Sequence, residues 1–368
     1  MKHKTILLGM LAAAALLGAA VESRACSSFC ITAKDGTILC NRTMEFGYET
    51  GYGLVSVPRG IKLSSPSPAE GKTGLEWAAS YNYFGVSVFN NPEMLVDGMN
   101  EAGLSVSGLW FENDTKWPEV KPADHKKALS HVLLISWLLG NCKDVAEVKA
   151  KVALVKVFGQ VMPQMKMAPP IHFQVDDAAG ASVVLEAEDG ELKVYDNPVR
   201  LLTNAPNFPY MLRNLRNFIG MKNSVLPTQQ FGSAVLPATG HGSGMFGLPG
   251  DLTPPSRFVR LAVQMRWADQ AADGAALLNQ AEHLANSVDI VRGMAVDRNE
   301  KGDIVSSETT QWTAFKDLTN KVWYYRTYDN LQLRKIDLKT ADFSTGKLKQ
   351  AALYGLPPTV TDITDQLN

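Results

Sequence analysis

The chain has 368 residues, 45% hydrophobic and 20% charged, the balance of a globular protein with a large core. Lys and Arg number 36 and Asp and Glu 37, so the net charge is −1, which argues against a nucleic-acid-binding surface or a polybasic membrane patch. No Pro- or Ser-rich linker interrupts the middle, and residues 26–368 are read as one domain.

The first 25 residues stand apart. Lys2, His3 and Lys4 precede an almost unbroken apolar run over residues 6–20, and Ser23 and Ala25 place small residues before a break ahead of Cys26. This predicts a signal peptide over residues 1–25, cleaved on export. A short membrane anchor competes, but the run falls short of the roughly 20 residues a spanning helix needs. A lipoprotein competes too, but Arg24 and Ser23 suit lipidation of Cys26 poorly. A bacterial protein of the periplasm or the medium is expected, with no stable membrane insertion after cleavage.

The next segment, CSSFCITAKDGTILCNRTMEF, has two β-prone runs about Lys34, Asp35 and Gly36, a hairpin signal. Two registers are open. A two-residue loop opposes Cys26 to Glu45 and puts Arg42 on the other face. A three-residue loop opposes Cys26 to Met44, Ser28 to Arg42 and Cys30 to Cys40, so that Cys26 and Arg42 share a face. Glu45 then lies on the opposite face unless the strand bends. YFGVSVFN and MLVDGMNEAGLSVSGLWF read as strands with a turn at residues 100–103. Residues 125–155 read as helix, with Leu129, Val132, Leu133, Trp137 and Leu138 on one stripe. A β-rich block follows over residues 171–204, a long helical stretch over 256–288, and strands again over 306–338. Hairpins dominate, which predicts antiparallel sheets layered with helices.

The four cysteines, Cys26, Cys30, Cys40 and Cys142, are too few for a disulfide framework and lack zinc-ligand spacing; an even count still allows one or two bridges. Cys26 is the one with a chemical opportunity. Once cleavage makes it the first residue, its α-amine, near pKa 7.7–8.0 in peptides, lies beside its thiol. One residue then supplies both nucleophile and base. The competing readings are a structural cysteine beside a chance cleavage site, or a non-catalytic envelope protein anchored or disulfide-bonded through Cys26.

Several segments resemble the choloylglycine hydrolase and penicillin V acylase family of N-terminal-nucleophile hydrolases, in order and spacing over nearly the whole mature chain. They are CSSF, NRTMEF, VDGMNEAGLSVSGLWF, IHFQVDDAAGASVVLEA, YDNPVRLLTNAPNFPYML, FGLPGDLTPPSRFVR and WYYRTYDN. The resemblance implies an α+β fold, a four-layer αββα sandwich with two antiparallel sheets. It implies Cys26 as nucleophile and Arg42 as an arginine beside the sulfur. Asn204 would be an oxyanion-hole amide and Arg257 a second active-site arginine, with Arg260 structural. Glu45 stands where the family usually has Asp, one methylene longer. Trp110 stands where bile-salt hydrolases tend to have Asn and many penicillin V acylases Tyr. Its backbone N–H would complete the oxyanion hole and its ring would suit a flat or apolar acyl group.

The implied reaction is hydrolysis of a small-molecule N-acyl amide through a Cys26 thioester. Penicillin V, N-acyl homoserine lactones and conjugated bile salts are the candidate substrates, with Trp110 favouring aryl or alkyl acyl groups. No metal or organic cofactor is needed. An acyltransferase using the same acyl-enzyme is the alternative within the class, and a homotetramer is expected by analogy. His131, His172, His241 and His283 show no partner at a recognisable spacing and have no role in this scheme.

Overall fold

The computed structural model describes residues 25–366; apart from Ala25, the expected signal peptide lies outside the described residues. The chain opens with the hairpin of β1 (Cys26–Thr32) and β2 (Ile38–Phe46). After β3 (Gly53–Val57) comes a small ribbon, β4 (Lys62–Pro66) and β5 (Thr73–Ala78). A meander follows: β6 (Tyr83–Val88), β7 (Asn91–Asn100) and β8 (Ser105–Trp110). Short strands β9 (Ala128–Ser130) and β10 (Lys156–Phe158) flank α1 (Leu134–Asn141) and α2 (Val145–Val152). A second meander of β11 (Ile171–Asp176), β12 (Ser182–Glu188) and β13 (Glu191–Asp196) leads to β14 (Leu201–Leu202) and α3 (Phe208–Leu215). An exposed ribbon, β15 (Gln229–Phe231) and β16 (Ala234–Leu236), precedes α4 (Pro254–Trp267) and α5 (Gly274–Asn286). The chain returns as β17 (Ala295–Arg298), β18 (Ile304–Asp317), β19 (Val322–Thr327), β20 (Asn330–Asp337) and β21 (Lys349–Ala352).

Two antiparallel sheets result. One runs β14-β1-β2-β18-β19-β20, with β17 also on β18; the other runs β13-β12-β11-β8-β7-β6-β3-β21. On the first sheet's outer face, Phe29, Leu39 and Phe315 pack in one core with Phe258 and Leu261 of α4 and Leu277 and Ala281 of α5. On the second sheet's outer face, Val106, Phe173, Val183 and Leu185 pack with Ile135, Leu138 and Val148 of the α1–α2 layer. The order of layers is α, β, β, α, as the resemblance implies.

The hairpin adopts the three-residue loop. Cys26 opposes Met44, Ser28 opposes Arg42 and Cys30 opposes Cys40. The last pair is joined as a disulfide. Alternation along a strand then sends Cys26, Arg42 and Met44 into the space between the sheets and Glu45 toward the helices.

Two expected helices are each broken. The stretch 125–155 holds β9 and two helices. Leu129 pairs in parallel with Val157, and the side-chain amide of Asn100 donates to the carbonyls of Leu139 (2.9 Å) and Cys142 (2.7 Å), ending α1 before Asp144 caps α2. The stretch 256–288 divides between Trp267 and Gly274, because the Asp273 side chain accepts from Ala276 N–H and starts a new helix. Both breaks are made by polar side chains satisfying terminal backbone groups, which an apolar stripe does not register.

The space between the sheets is unexpectedly polar. Asp97, Ser107, His172, Gln174, Asp176 and Glu186 of the second sheet are each at most 1% exposed. From the first sheet, the buried Lys316 ammonium donates to Asp97 and, at 2.8 Å, to Ser107 Oγ. Burial lowers the Lys316 pKa, against the opposing charge of Asp97.

Candidate active site

Cys26 begins β1 and is 2% exposed. Its surroundings hold it from both faces of the sheet. From the inter-sheet side, Arg42 Nη2 donates to Cys26 Sγ at 3.3 Å and to Gly108 O at 2.7 Å, and Nη1 donates to Thr43 O. The guanidinium also lies 5.4 Å from the Trp312 ring. Burial would lower the Arg42 pKa, but the Cys26 sulfur, Asp97 and Glu45 outweigh it and the net direction is up. From the helix side, Arg257 of α4 donates through Nη1 to Cys26 O (2.6 Å) and Ser27 Oγ (2.7 Å), and through Nη2 to Asn204 Oδ1 (2.7 Å). Burial lowers its pKa, offset by Glu45 and Cys26.

Asn204 follows β14. Its Oδ1 accepts from Cys26 N (2.6 Å) as well as from Arg257, which fixes which end of the amide is oxygen. Its Nδ2 donates to Trp110 O at 2.9 Å and keeps a second hydrogen. The phase of the β8–β11 ladder orients Trp110. Phe111 N–H donates to Pro170 O at 2.8 Å, so Phe111 opposite Pro170 is one pair type of the ladder and Trp110 opposite Ile171 the alternate type. Alternation of an antiparallel ladder turns the N–H and C=O of Trp110 away from β11, to the side Asn204 approaches.

Glu45 is brought near but on the other face from Arg42. Its carboxylate accepts from Thr43 Oγ1 (3.0 Å) and Thr310 Oγ1 (2.7 Å), while its carbonyl oxygen lies 3.9 Å from Cys26 Sγ. Burial pushes its pKa up to about 7, with Arg257 and the two hydroxyls pulling against it. Arg260 instead donates to Gly250 O and Asp251 O, at the exposed start of α4.

An apolar pocket opens beside Cys26 and Arg42. Its position follows from a split in the second sheet. β7 pairs with β8 only between Asp97–Ser107 and Met99–Ser105, and beyond that Leu109 and Trp110 pair with β11 while Leu95 pairs with β6. The pocket is lined by Leu95, Val96 and Leu109 at the split, by Phe173 of β11, and by Val132 and Ile135 from the helical layer. His131 also lines it; its Nδ1 accepts from Gln160 N at 3.1 Å, and burial pushes its pKa down to about 3, so the ring is neutral.

Two of the scattered histidines, His131 and His172, therefore do have partners. His172 in particular sits between Glu186 Oε1 (2.9 Å) and Thr203 O (2.8 Å). The alternation in IHFQVD, with His172, Gln174 and Asp176 on one face, was the available signal for this buried polar layer.

Comparison with known proteins agrees with the fold. Residues 26–351 match the linear amide C–N hydrolases, choloylglycine hydrolase family. A bile salt hydrolase/transferase of Clostridium perfringens is 30% identical over 326 residues, 88% of this chain and 95% of that protein. One from Lactiplantibacillus plantarum is 35% identical over 254 residues, 68% of this chain and 75% of that protein. The solved structure of a conjugated bile acid hydrolase from Clostridium perfringens superposes with a TM-score of 0.80 at 27% identity, over 92% of this chain and 99% of that one. A penicillin V acylase from Agrobacterium tumefaciens superposes with a TM-score of 0.70 at 20% identity, over 90% and 94%, a likeness of fold.

Proposed function

Because the chain belongs to the choloylglycine hydrolase family of linear amide C–N hydrolases, we propose that it cleaves N-acyl amides through Cys26, exposed as the first residue by cleavage after Ala25. The sulfur attacks the amide carbonyl beside the Arg42 guanidinium. The second hydrogen of Asn204 Nδ2 and the Trp110 N–H receive the oxyanion. The Cys26 α-ammonium protonates the departing amine, and the same amine then activates the water that hydrolyses the thioester. Arg257 holds the Cys26 carbonyl throughout, and Glu45 supplies charge behind it without touching the sulfur.

One observation carries this reading. Sulfur, main-chain nitrogen and carbonyl of a single residue are each held by a separate buried side chain, Arg42, Asn204 and Arg257. The acyl group is proposed to be aryl or alkyl, since the pocket beside Cys26 is lined almost wholly by apolar side chains. Export is supported by the pattern of residues 2–25. The homotetramer would bury the arm around β15 and β16, where Phe231, Val235, Leu236 and Phe246 are exposed.

The test uses mature protein starting at Cys26 against penicillin V, N-acyl homoserine lactones and conjugated bile salts. Turnover of at least one class, abolished in folded Cys26→Ala and much reduced in Cys26→Ser, is the expected result. Turnover surviving in Cys26→Ala, or an acylated α-amine on Cys26 by intact mass, refutes the mechanism.

A further inference from the structure

His172 is fully buried, and so is Glu186. The Phe173–Leu185 register, continued by one residue, sets them opposite each other on β11 and β12. Each ring nitrogen of His172 meets an acceptor: Nδ1 faces Glu186 Oε1 at 2.9 Å and Nε2 faces Thr203 O at 2.8 Å. A neutral imidazole has one N–H and one lone pair, so it would set a lone pair against one of the two oxygens. Two hydrogens on the ring satisfy both contacts, which is the geometry of an imidazolium set against a carboxylate.

The pair touches residues adjoining both halves of the proposed oxyanion hole. Thr203, held through its carbonyl, immediately precedes Asn204. Glu186 also accepts from Phe208 N at 3.1 Å with each oxygen, so it grips the far end of the same loop at the start of α3. The imidazole ring stacks on Phe111, with centroids 4.6 Å apart and planes 4° from parallel, next to Trp110. A buried ion pair costs much of its attraction in desolvation, so it adds little as general stabilisation. It does fix geometry: the Thr203–Asn204 peptide plane at one point and residue 208 at another.

We propose that His172, as an imidazolium paired with Glu186, is a positioning residue that holds the Asn204 amide and the Trp110–Phe111 strand end in place to receive the oxyanion. The inference rests on the Cys26 mechanism above. The experiment compares His172→Gln and Glu186→Gln with the wild type in mature enzyme starting at Cys26. The expected outcome is a kcat lower by about 10- to 100-fold, the scale of a misplaced catalytic donor, with KM changed less than about threefold. Alkylation of Cys26 by iodoacetamide falls less than turnover, since Arg42 still faces the sulfur. A kcat within about twofold of wild type in both folded variants overturns the proposal; so does a rise in KM alone, or alkylation slowed in step with turnover. If neither variant folds, 15N NMR of the wild-type ring decides: two protonated nitrogens at neutral pH support it, and one bare nitrogen overturns it. Activity persisting in Cys26→Ala would refute the underlying mechanism, and is read without either variant.

Discussion

Glu45→Gln isolates the cost of keeping a carboxylate under the active site. Glu45 is 0% exposed, and burial raises its pKa from 4.5 to about 7. In that interval the folded protein holds a proton that the unfolded chain has released. The unfolded state binds fewer protons, so stability falls as pH rises through the window. The contribution is complete below 4.5 and gone above about 7. At 1.36 kcal/mol per pH unit, the gap corresponds to about 3 kcal/mol. Glutamine keeps the shape and both hydroxyl contacts but cannot titrate. Urea unfolding of both proteins at several pH values should therefore show the wild type losing about 3 kcal/mol relative to Glu45→Gln between about pH 4 and pH 8. Taking the difference matters, because burial also raises Asp176, to about 6, and its slope has the same sign in both proteins. Parallel curves would refute the reasoning. A wild type that gains on the variant with rising pH would show that Arg257 and the hydroxyls, not burial, set the charge of Glu45.

Asn204→Ala removes the donor from the oxyanion position and should lower kcat by about 10²- to 10³-fold with KM little changed; steady-state kinetics with kcat within tenfold of wild type would exclude that role. Cys30→Ala with Cys40→Ala opens a crosslink between residues 10 apart in sequence, for which chain entropy gives a loss of about 3 kcal/mol in urea unfolding. An unchanged unfolding midpoint would contradict that value.

The chemistry-bearing segments were legible because they are contiguous words: NRTMEF, LLTNAP and PPSRFVR each bring their residue to the site. The hairpin left two registers open, and only the Cys30–Cys40 pairing chose between them. That choice also explains Glu45, which strand alternation sends to the helix face, where it meets Thr310 rather than the sulfur. The helix boundaries were less legible. Leu129 and Trp137 fall on one apolar stripe, yet one lies in a strand and the other in a helix, because Leu129 pairs with Val157 far along the chain. The His172–Glu186 pair joins neighbouring strands across a turn, and Lys316 reaches Asp97 across 219 positions. Local pattern shows that such residues are polar and inward; it does not show what they meet.

The split between β7 and β8 separates two inheritances. Residues gripping Cys26 come from β2, α4 and the segment after β14, whereas part of the pocket beside it is walled by β7 and the helical layer. On the proposed mechanism, a change of size at Ile135, Val132 or Leu95 reshapes the acyl pocket without replacing a side chain that holds Cys26.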